Sequence, residues 1–233
     1  MKALVVVPTY DERENLAQVV AGILSQDPDL QLLIVDDASP DGTGKLADEL
    51  AAADPRVRVL HRAGKLGLGS AYVEGFQYAL RETDARFVFQ MDADFSHDPG
   101  VIPSLLAAME DCDVCVGSRY VGGVRVINWP LRRLLISLSA NFYAARVTGV
   151  RLHDITSGFK CYRREVLEAL PLDRIRSDGY AFNIEMVVLA AYRGLEVREI
   201  PIIFTDRVDG RSKLSKRILI EAAWLVWWLR INR

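Results

Sequence analysis

At 233 residues, half of them hydrophobic, the chain can bury a sizeable core as one large domain or as one domain with an appendage. The formal net charge is only −2, yet residues 1–118 hold 9 Lys/Arg against 20 Asp/Glu, and residues 119–233 hold 20 against 11. An acidic half suits a cation and a basic half suits anions; nucleic acid has no recognised binding module here, whereas a phosphate group or an anionic membrane surface fits.

The apolar run within Met1–Val7 is too short for a signal peptide. Apolar runs at Ala3–Val7, Leu32–Val35, Val57–Leu60, Phe87–Met91 and Val114–Val116 predict strands. Helical patterns fill the gaps at Arg13–Leu24, Thr43–Ala53, Ser70–Arg81 and Pro99–Met109. This alternation predicts an α/β fold with right-handed crossovers and a mainly parallel sheet flanked by helices. Cys112 and Cys115 form a C-x-x-C, but no second pair completes a zinc site, and the motif leads into a strand rather than opening a helix. Buried structural thiols and a reducing compartment are expected.

Further along, Asn128-Trp129-Pro130 marks a helix start, with the helix running to about Val147. A second helix is expected over Ala181–Tyr192. A strand is expected over Val197–Phe204, placed near an edge or bulge by Pro201. Asp206–Arg217 is polar, basic and glycine-bearing, which predicts a loop. The tail Ile218–Leu229 is nearly all apolar, contains Trp224, Trp227 and Trp228, and is flanked by Lys216, Arg217, Arg230 and Arg233. It is shorter than the ~20 apolar residues that a membrane span needs. A core helix is one reading; a helix lying in a membrane interface is favoured by the tryptophans and basic flanks.

Chemistry collects at the predicted strand ends. Asp92-Ala93-Asp94 follows the fourth strand, and open α/β sheets bind ligands outside the carboxyl ends of their strands. Two carboxylates one residue apart are costly there unless a cation neutralises them, and a hard divalent cation brings substrate phosphates with it. The alternative is a solvated acidic turn. Pro8-Thr9-Tyr10-Asp11-Glu12 follows the first strand and Asp36-Asp37-Ala38-Ser39-Pro40-Asp41-Gly42-Thr43 the second, so both share that edge. These turns suit a base and ribose, although Asp41 and Thr43 also fit as helix-start residues. Gly64-Lys65-Leu66-Gly67-Leu68-Gly69 matches neither the dinucleotide fingerprint nor the Walker pattern, but Lys65 is placed to approach a phosphate. Arg119, Arg133, Arg207 and Lys213 supply cations, and Arg133 and Ser137 share one helix face, suited to a pair of phosphate oxygens. Arg132 and Arg211 read as solvated surface.

Taken together, Val7–Asn15, Val35–Gly44 and Asp92-Ala93-Asp94-Phe95-Ser96-His97 resemble inverting family 2 glycosyltransferases of the GT-A, Rossmann-like type. Gly117-Ser118-Arg119-Tyr120-Val121-x-Gly123, Asn128-Trp129, Thr156-Ser157-Gly158-Phe159, Gly179-Tyr180-x-Phe182-x-Ile184-Glu185-Met186 and Arg207-x-x-Gly210-x-Ser212-Lys213 narrow the resemblance to dolichol-phosphate (polyprenol-phosphate) mannose synthases.

That resemblance covers nearly the whole chain. It implies a GT-A catalytic domain over residues 1–212, with a nucleotide and metal half at 1–118, an acceptor half at 119–212, and a C-terminal amphipathic interfacial helix at 213–233. It implies GDP-mannose as donor, a polyprenyl or dolichyl monophosphate as acceptor, Mg²⁺ or Mn²⁺ as cofactor, no nucleic acid, and a peripheral location on the cytoplasmic face of a membrane. Pro8, Tyr10, Glu12, Val35, Asp36, Asp37, Asp41, Lys65, Asp92 and Ala93 would line the nucleotide pocket. Asp92, Asp94 and Ser96 would hold the metal, with Ser96 standing where some relatives carry a Gln. Arg119, Arg133, Ser137, Arg207 and Lys213 would gather the acceptor phosphate, the four basic residues joining Asp94 as the catalytic set. The absence of an obvious catalytic His is compatible, because an ionised phosphate acceptor needs no general base. A UDP-sugar-dependent polyprenyl-phosphate glycosyltransferase and a non-catalytic sugar-nucleotide-binding membrane subunit are the competing readings.

Overall fold

The computed structural model describes residues 2–175, 177, 179–205 and 216–232; at 180 and 216–222 the description is of the backbone alone. In chain order the elements are β1 (Ala3–Thr9), α1 (Arg13–Leu24), β2 (Leu30–Asp36), α2 (Thr43–Ala53), β3 (Val57–His61), α3 (Leu68–Glu82) and β4 (Phe87–Gln90). A 3₁₀ turn at Pro99–Val101 leads into α4 (Ile102–Ala108), followed by β5 (Val114–Ser118), β6 (Val126–Ile127) and α5 (Leu131–Thr148). Then come β7 (Lys160–Arg163), α6 (Arg164–Ala169), α7 (Gly179–Tyr192), β8 (Val197–Pro201), β9 (Phe204–Thr205) and α8 (Lys216–Ile231).

A seven-stranded sheet has the order β3-β2-β1-β4-β7-β5-β8. All its pairings are parallel except those of β7, which runs antiparallel between β4 and β5. The central parallel strands β1, β2, β4 and β5 are buried on both faces, which explains their apolar runs, whereas the edge strands β3 and β8 are partly exposed. Leu4 and Val6 of β1 face one core with Ala71, Tyr72, Phe76 and Ala79 of α3 and with Phe182 of α7. Ala3, Val5 and Val7 face the other core with Leu16, Val19 and Ile23 of α1 and with Ile102 and Leu105 of α4. The result is a helix–sheet–helix sandwich of the GT-A type.

Two expectations are refined. The strand expected over Val197–Phe204 is broken after Pro201: β8 ends as the edge of the main sheet, and β9 pairs with β6 in a separate two-stranded parallel sheet. Proline has no N–H for a ladder, so it closes β8 at an edge. The helix expected over Pro99–Met109 begins as a 3₁₀ turn, with Asp98 accepting the Gly100 N–H at 2.8 Å. Neither β7 nor the β6–β9 pair is signalled by local periodicity. The three cysteines are free and buried; Cys115 and Cys161 are register partners across β5 and β7.

The α3 helix lies close against the sheet because position 75 has no side chain. A Cβ built there would stand 2.4 Å from Val6 Cγ1 and 3.4 Å from Val35 Cγ2. Gly75→Ala is therefore expected to destabilise the fold by about 1–3 kcal/mol through overpacking. Thermal melting should register a fall of several degrees, and an unchanged midpoint would contradict this packing.

Candidate functional site at the carboxyl edge of the sheet

The chain leaves β1 toward β2 on one side and returns to β4 on the other. The strand order therefore reverses between β1 and β4, and a crevice opens outside their carboxyl ends. The turns after β1, β2 and β4 each hold one non-glycine residue in the left-handed region: Asp11 at φ 59°, Ala38 at 54° and Phe95 at 58°. Non-glycine backbones in that region are sparsely populated and persist where surrounding contacts hold them.

At the carboxyl ends of β1 and β2, Pro8 and Val35 are register partners, and the acids beyond them have distinct partners. Asp36 is buried and accepts from Thr9 Oγ1 at 3.1 Å and Ser39 Oγ at 2.6 Å. Asp37 is also buried; it pairs with Arg62 and accepts the Leu66 and Gly67 N–H groups at 3.2 Å each. The glycine-rich segment is thus tied to the end of β2. Lys65, carried by that segment, sits 3.6 Å over the Tyr10 ring. Asp41 accepts the N–H groups of Thr43 at 2.9 Å and Arg13 at 3.2 Å, serving the starts of both α2 and α1. Glu12 accepts from Asn15 Nδ2 at 3.0 Å.

At the β4 turn, Asp92 is half-buried and accepts from Tyr72 Oη at 2.8 Å. Ala93 and Asp94 are buried, and Asp94 Oδ1 accepts from the Ser96 N–H at 3.0 Å and from the Ser96 hydroxyl. His97 closes the turn, its Nδ1 accepting the Asp92 N–H at 3.1 Å. Burial depresses the imidazole pKa despite the raising charges of Asp92 and Asp94, which agrees with an acceptor nitrogen.

Across the crevice, Arg119 follows β5 and is buried against Asp154 in a two-point pair at 2.7 and 2.6 Å, with a third bond to Thr156 Oγ1 at 2.8 Å. Burial by itself raises the Asp154 pKa, but the charge and hydrogen bonds of Arg119 outweigh it and hold the carboxyl below its usual value. Glu199 of β8 accepts the Asp154 N–H at 2.8 Å and fixes the loop from the edge strand. Trp129 links the two arginines, with the Arg119 guanidinium 5.5 Å and that of Arg133 4.1 Å from its ring. Ser137, one turn along α5 from Arg133, accepts from Tyr120 Oη at 2.7 Å. Phe204 spans from this basic group to the acidic turn: it meets Trp129 edge-on at 5.4 Å and His97 at 5.8 Å. Arg207 and Lys213 lie outside the described residues.

Sequence reasoning missed Arg62 and Lys160. Arg62 carries an ion pair to Asp37, a second to Glu74 at 3.0 Å and a bond to Ser70 Oγ at 2.7 Å. Lys160 is wholly buried in β7 and donates to the Ser157 carbonyl oxygen. Burial lowers its pKa to about 7 against the raising charges of Asp154 and Asp92. The available signal was a lysine one residue past the Thr156–Phe159 motif, in a stretch too short to read as a strand.

The tail helix buries Val226 and Leu229 against the body, packing on α7 and α5. Trp224, Trp227 and Trp228 remain 70%, 53% and 42% exposed. Leu131, Leu135 and Phe142 of α5 are also exposed, by 69%, 55% and 73%. Among the described residues no helix is long and apolar enough to cross a membrane. A cavity of about 470 Å³ lined by Thr148, Arg151, Tyr192, Glu196 and Arg230 lies at the opposite end of β8 from the acidic turns and contains no aspartate.

A family model described as Glycosyl transferase family 2 matches residues 4–170. The polyprenol monophosphomannose synthase of Mycolicibacterium smegmatis is 48% identical over 233 residues, covering 98% of this chain and 88% of its own. The undecaprenyl-phosphate mannosyltransferase of Micrococcus luteus is 44% identical over 222 residues, covering 95% and 91%. Among solved structures, a glucosyl-3-phosphoglycerate synthase from Mycobacterium tuberculosis in complex with Mn²⁺, UDP and phosphoglyceric acid superposes with a TM-score of 0.71 at 19% identity, covering 98% of this chain and 78% of that one. That likeness is one of fold.

The buried lysine has a measurable consequence. Below pH 7 both folded and unfolded chains carry the Lys160 proton, so its burial cost is fully present. Between about 7 and 10.5 only the unfolded chain carries it. Stability contributed through Lys160 therefore rises with pH across that window. In denaturant titrations from pH 7 to 10, wild type should gain stability relative to Lys160→Met; a constant difference would show that this lysine does not titrate there.

Proposed function

Because the chain belongs to glycosyltransferase family 2, we propose that it transfers mannose from GDP-mannose to a polyprenyl (dolichyl) monophosphate with inversion, yielding a β-mannosyl phosphoprenol. The observation that carries this reading is the opposition, at one sheet edge, of the Asp92–Asp94 turn and the Arg119–Trp129–Arg133 cluster, joined through Phe204. The names of the 48% and 44% identical relatives support the mannosyl donor and the lipid phosphate.

The acidic turn fits a hard divalent cation, Mg²⁺ or Mn²⁺. Asp92 and Asp94 offer carboxylate oxygen and Ser96 a hydroxyl, while His97 Nδ1 is taken by a backbone N–H. Among the described residues no three His, Cys, Asp or Glu side chains gather as an all-protein cage. A site of one or two carboxylates completed by substrate phosphate is the usual Mg²⁺ arrangement. When bound, the cation would neutralise the donor diphosphate and stabilise the departing GDP.

The protein's own task is to bring two anions together. The turns bearing Tyr10, Asp36, Asp37 and Lys65 hold the nucleoside end. Arg133 and Ser137, with Arg207 and Lys213, gather the acceptor phosphate. Arg119, held by Asp154, adds positive charge beside them. An acceptor phosphate is already ionised near neutral pH, so its oxygen attacks the anomeric carbon directly, and one displacement inverts the α-linked donor to the β product. The exposed faces of α5 and α8 form a docking surface for the membrane that holds the lipid: tryptophan and aliphatic side chains enter the interface, while Arg132, Arg146 and Arg230 meet anionic headgroups. On this reading the protein is peripheral, on the cytoplasmic face.

Purified protein supplied with GDP-mannose, GDP-glucose or UDP-sugars and a prenyl phosphate should form mannolipid from GDP-mannose, and EDTA should stop it. Asp94→Ala should retain the fold and lose on the order of a hundredfold or more in turnover. Product from a UDP-sugar alone would replace the donor assignment, and near-normal metal-dependent transfer by folded Asp94→Ala would remove that residue from the site.

Co-sedimentation tests the surface. The intact protein should bind anionic liposomes, each basic residue near the surface contributing ~1 kcal/mol. Salt should weaken binding without abolishing it, since only the ionic part is screened. Replacing Trp227 and Trp228 by Ser should reduce binding and lower activity on long-chain lipid more than on a soluble short-chain acceptor. No binding by wild type would defeat the docking role.

A further inference from the structure

We propose that Trp129 is an oxyanion-binding residue, its indole N–H donating a hydrogen bond to a phosphate oxygen held between Arg133 and Arg119. The identity of that phosphate as a prenyl monophosphate rests on the function proposed above; the oxyanion site itself does not. Three observations converge. The Trp129 Nε1 atom is buried and has no hydrogen-bond partner among the described residues, and a buried donor of that kind calls for an acceptor. Its ring carries two guanidinium groups at once, at 4.1 and 5.5 Å. An anion drawn by both cations therefore comes within reach of the ring edge. Asp154 already engages Arg119 at two points. A neutral donor would add directional recognition there without adding a third like charge.

The surrounding geometry holds the indole in place. Phe204 packs edge-on against it at an interplanar angle of 81°. The β6–β9 pairing, with Ile127 opposite Thr205, fixes the chain immediately before Asn128. Asn128 itself stands at φ 63°, turning the chain so that Trp129 precedes α5 and its Arg133. A packing role alone would account for the ring but not for the buried donor. The ligand class is a phosphate monoester, because its several oxygens can accept from the indole and both guanidinium groups together.

The test separates the N–H from the ring. Trp129→Phe keeps an aromatic face and deletes only the donor and the extra ring. With a soluble short-chain prenyl phosphate, Trp129→Phe should raise the acceptor KM and Kd about tenfold while leaving the GDP-mannose KM within about twofold. Trp129→Leu should also lower kcat, because the face supporting Arg133 is gone. Independently of turnover, the indole proton resonance of Trp129 should move downfield on adding prenyl phosphate. It can be observed alone in a chain whose Trp224, Trp227 and Trp228 are all Phe, since the protein has four tryptophans. That spectrum decides the matter even if Trp129→Phe folds poorly.

A resonance unmoved by both saturating prenyl phosphate and inorganic phosphate overturns the inference, as does a folded Trp129→Phe protein with wild-type acceptor affinity. A resonance that responds to inorganic phosphate and not to prenyl phosphate overturns the lipid assignment. If the resonance shifts with prenyl phosphate but no sugar is transferred from any donor, the oxyanion site stands and the proposed function falls. If mannose is transferred while the resonance stays fixed, the reverse holds. Failure of wild type to bind either prenyl phosphate or inorganic phosphate overturns both.

Discussion

The carboxyl edge of the sheet must accommodate buried negative charge. Asp36, Asp37, Asp94 and Asp154 are 2%, 6%, 7% and 0% exposed, so none can rely on bulk water for compensation. Each is met differently. Asp36 takes hydroxyls from Thr9 and Ser39, and Asp37 takes a buried guanidinium and two backbone N–H groups. Asp94 takes the N–H and hydroxyl of Ser96, while Asp154 takes Arg119 at two points and Thr156. These pairings bind loops from distant parts of the chain into one surface. Removing either member of the Arg119–Asp154 pair would leave the other as an uncompensated charge in the interior, a far larger penalty than loss of an exposed ion pair.

The antiparallel strand β7 makes that surface continuous. It fills the place between β4, which ends at the acidic turn, and β5, which ends at Arg119. The loop entering β7 carries Asp154, Thr156 and Ser157, and Ser157 Oγ donates to the Gly117 carbonyl at 2.6 Å. Gly158 comes close to the acidic turn: a Cβ there would lie 3.4 Å from Asp92 Oδ2 and 3.2 Å from His97 Cε1. Lys160, buried behind this loop, places a proton-labile cation within the influence of Asp92 and Asp154. The two halves of unlike charge are therefore one electrostatic unit.

Helix α5 connects chemistry to surface. Its first turns carry Arg133 and Ser137, and its exposed side carries Leu131, Leu135 and Phe142. Helix α8 packs alongside, with Tyr143 Oη donating to the Ala223 carbonyl at 3.3 Å. The tail helix is packed on one face and exposed on the other, so its packing against the body leaves a face for the interfacial role expected of it. Val226 and Leu229 are buried, whereas Trp224, Trp227 and Trp228 are exposed. Under the proposed function, the same helix pair that meets the lipid surface delivers the phosphate-binding residues to it.

Local sequence determined the parallel strands, most helices and the three acidic turns. Central parallel strands must be apolar on both faces, and the turns after them must be polar, so periodicity and punctuation mark both; α1 and α2 coincide with their expected bounds. The adjacency of Asp92 and Asp94 to a strand end was legible for the same reason. Tertiary structure alone decided the rest. A four-residue antiparallel strand and two two-residue strands have too few alternations to announce themselves, and only pairing with β4, β5 and each other defines them. The binding of Arg62 to Asp37, of Arg119 to Asp154 and of two guanidinium groups to Trp129 likewise depends on residues that are local neighbours only once the sheet has formed. Charge and packing are settled by distance in space, which spacing along the chain does not encode.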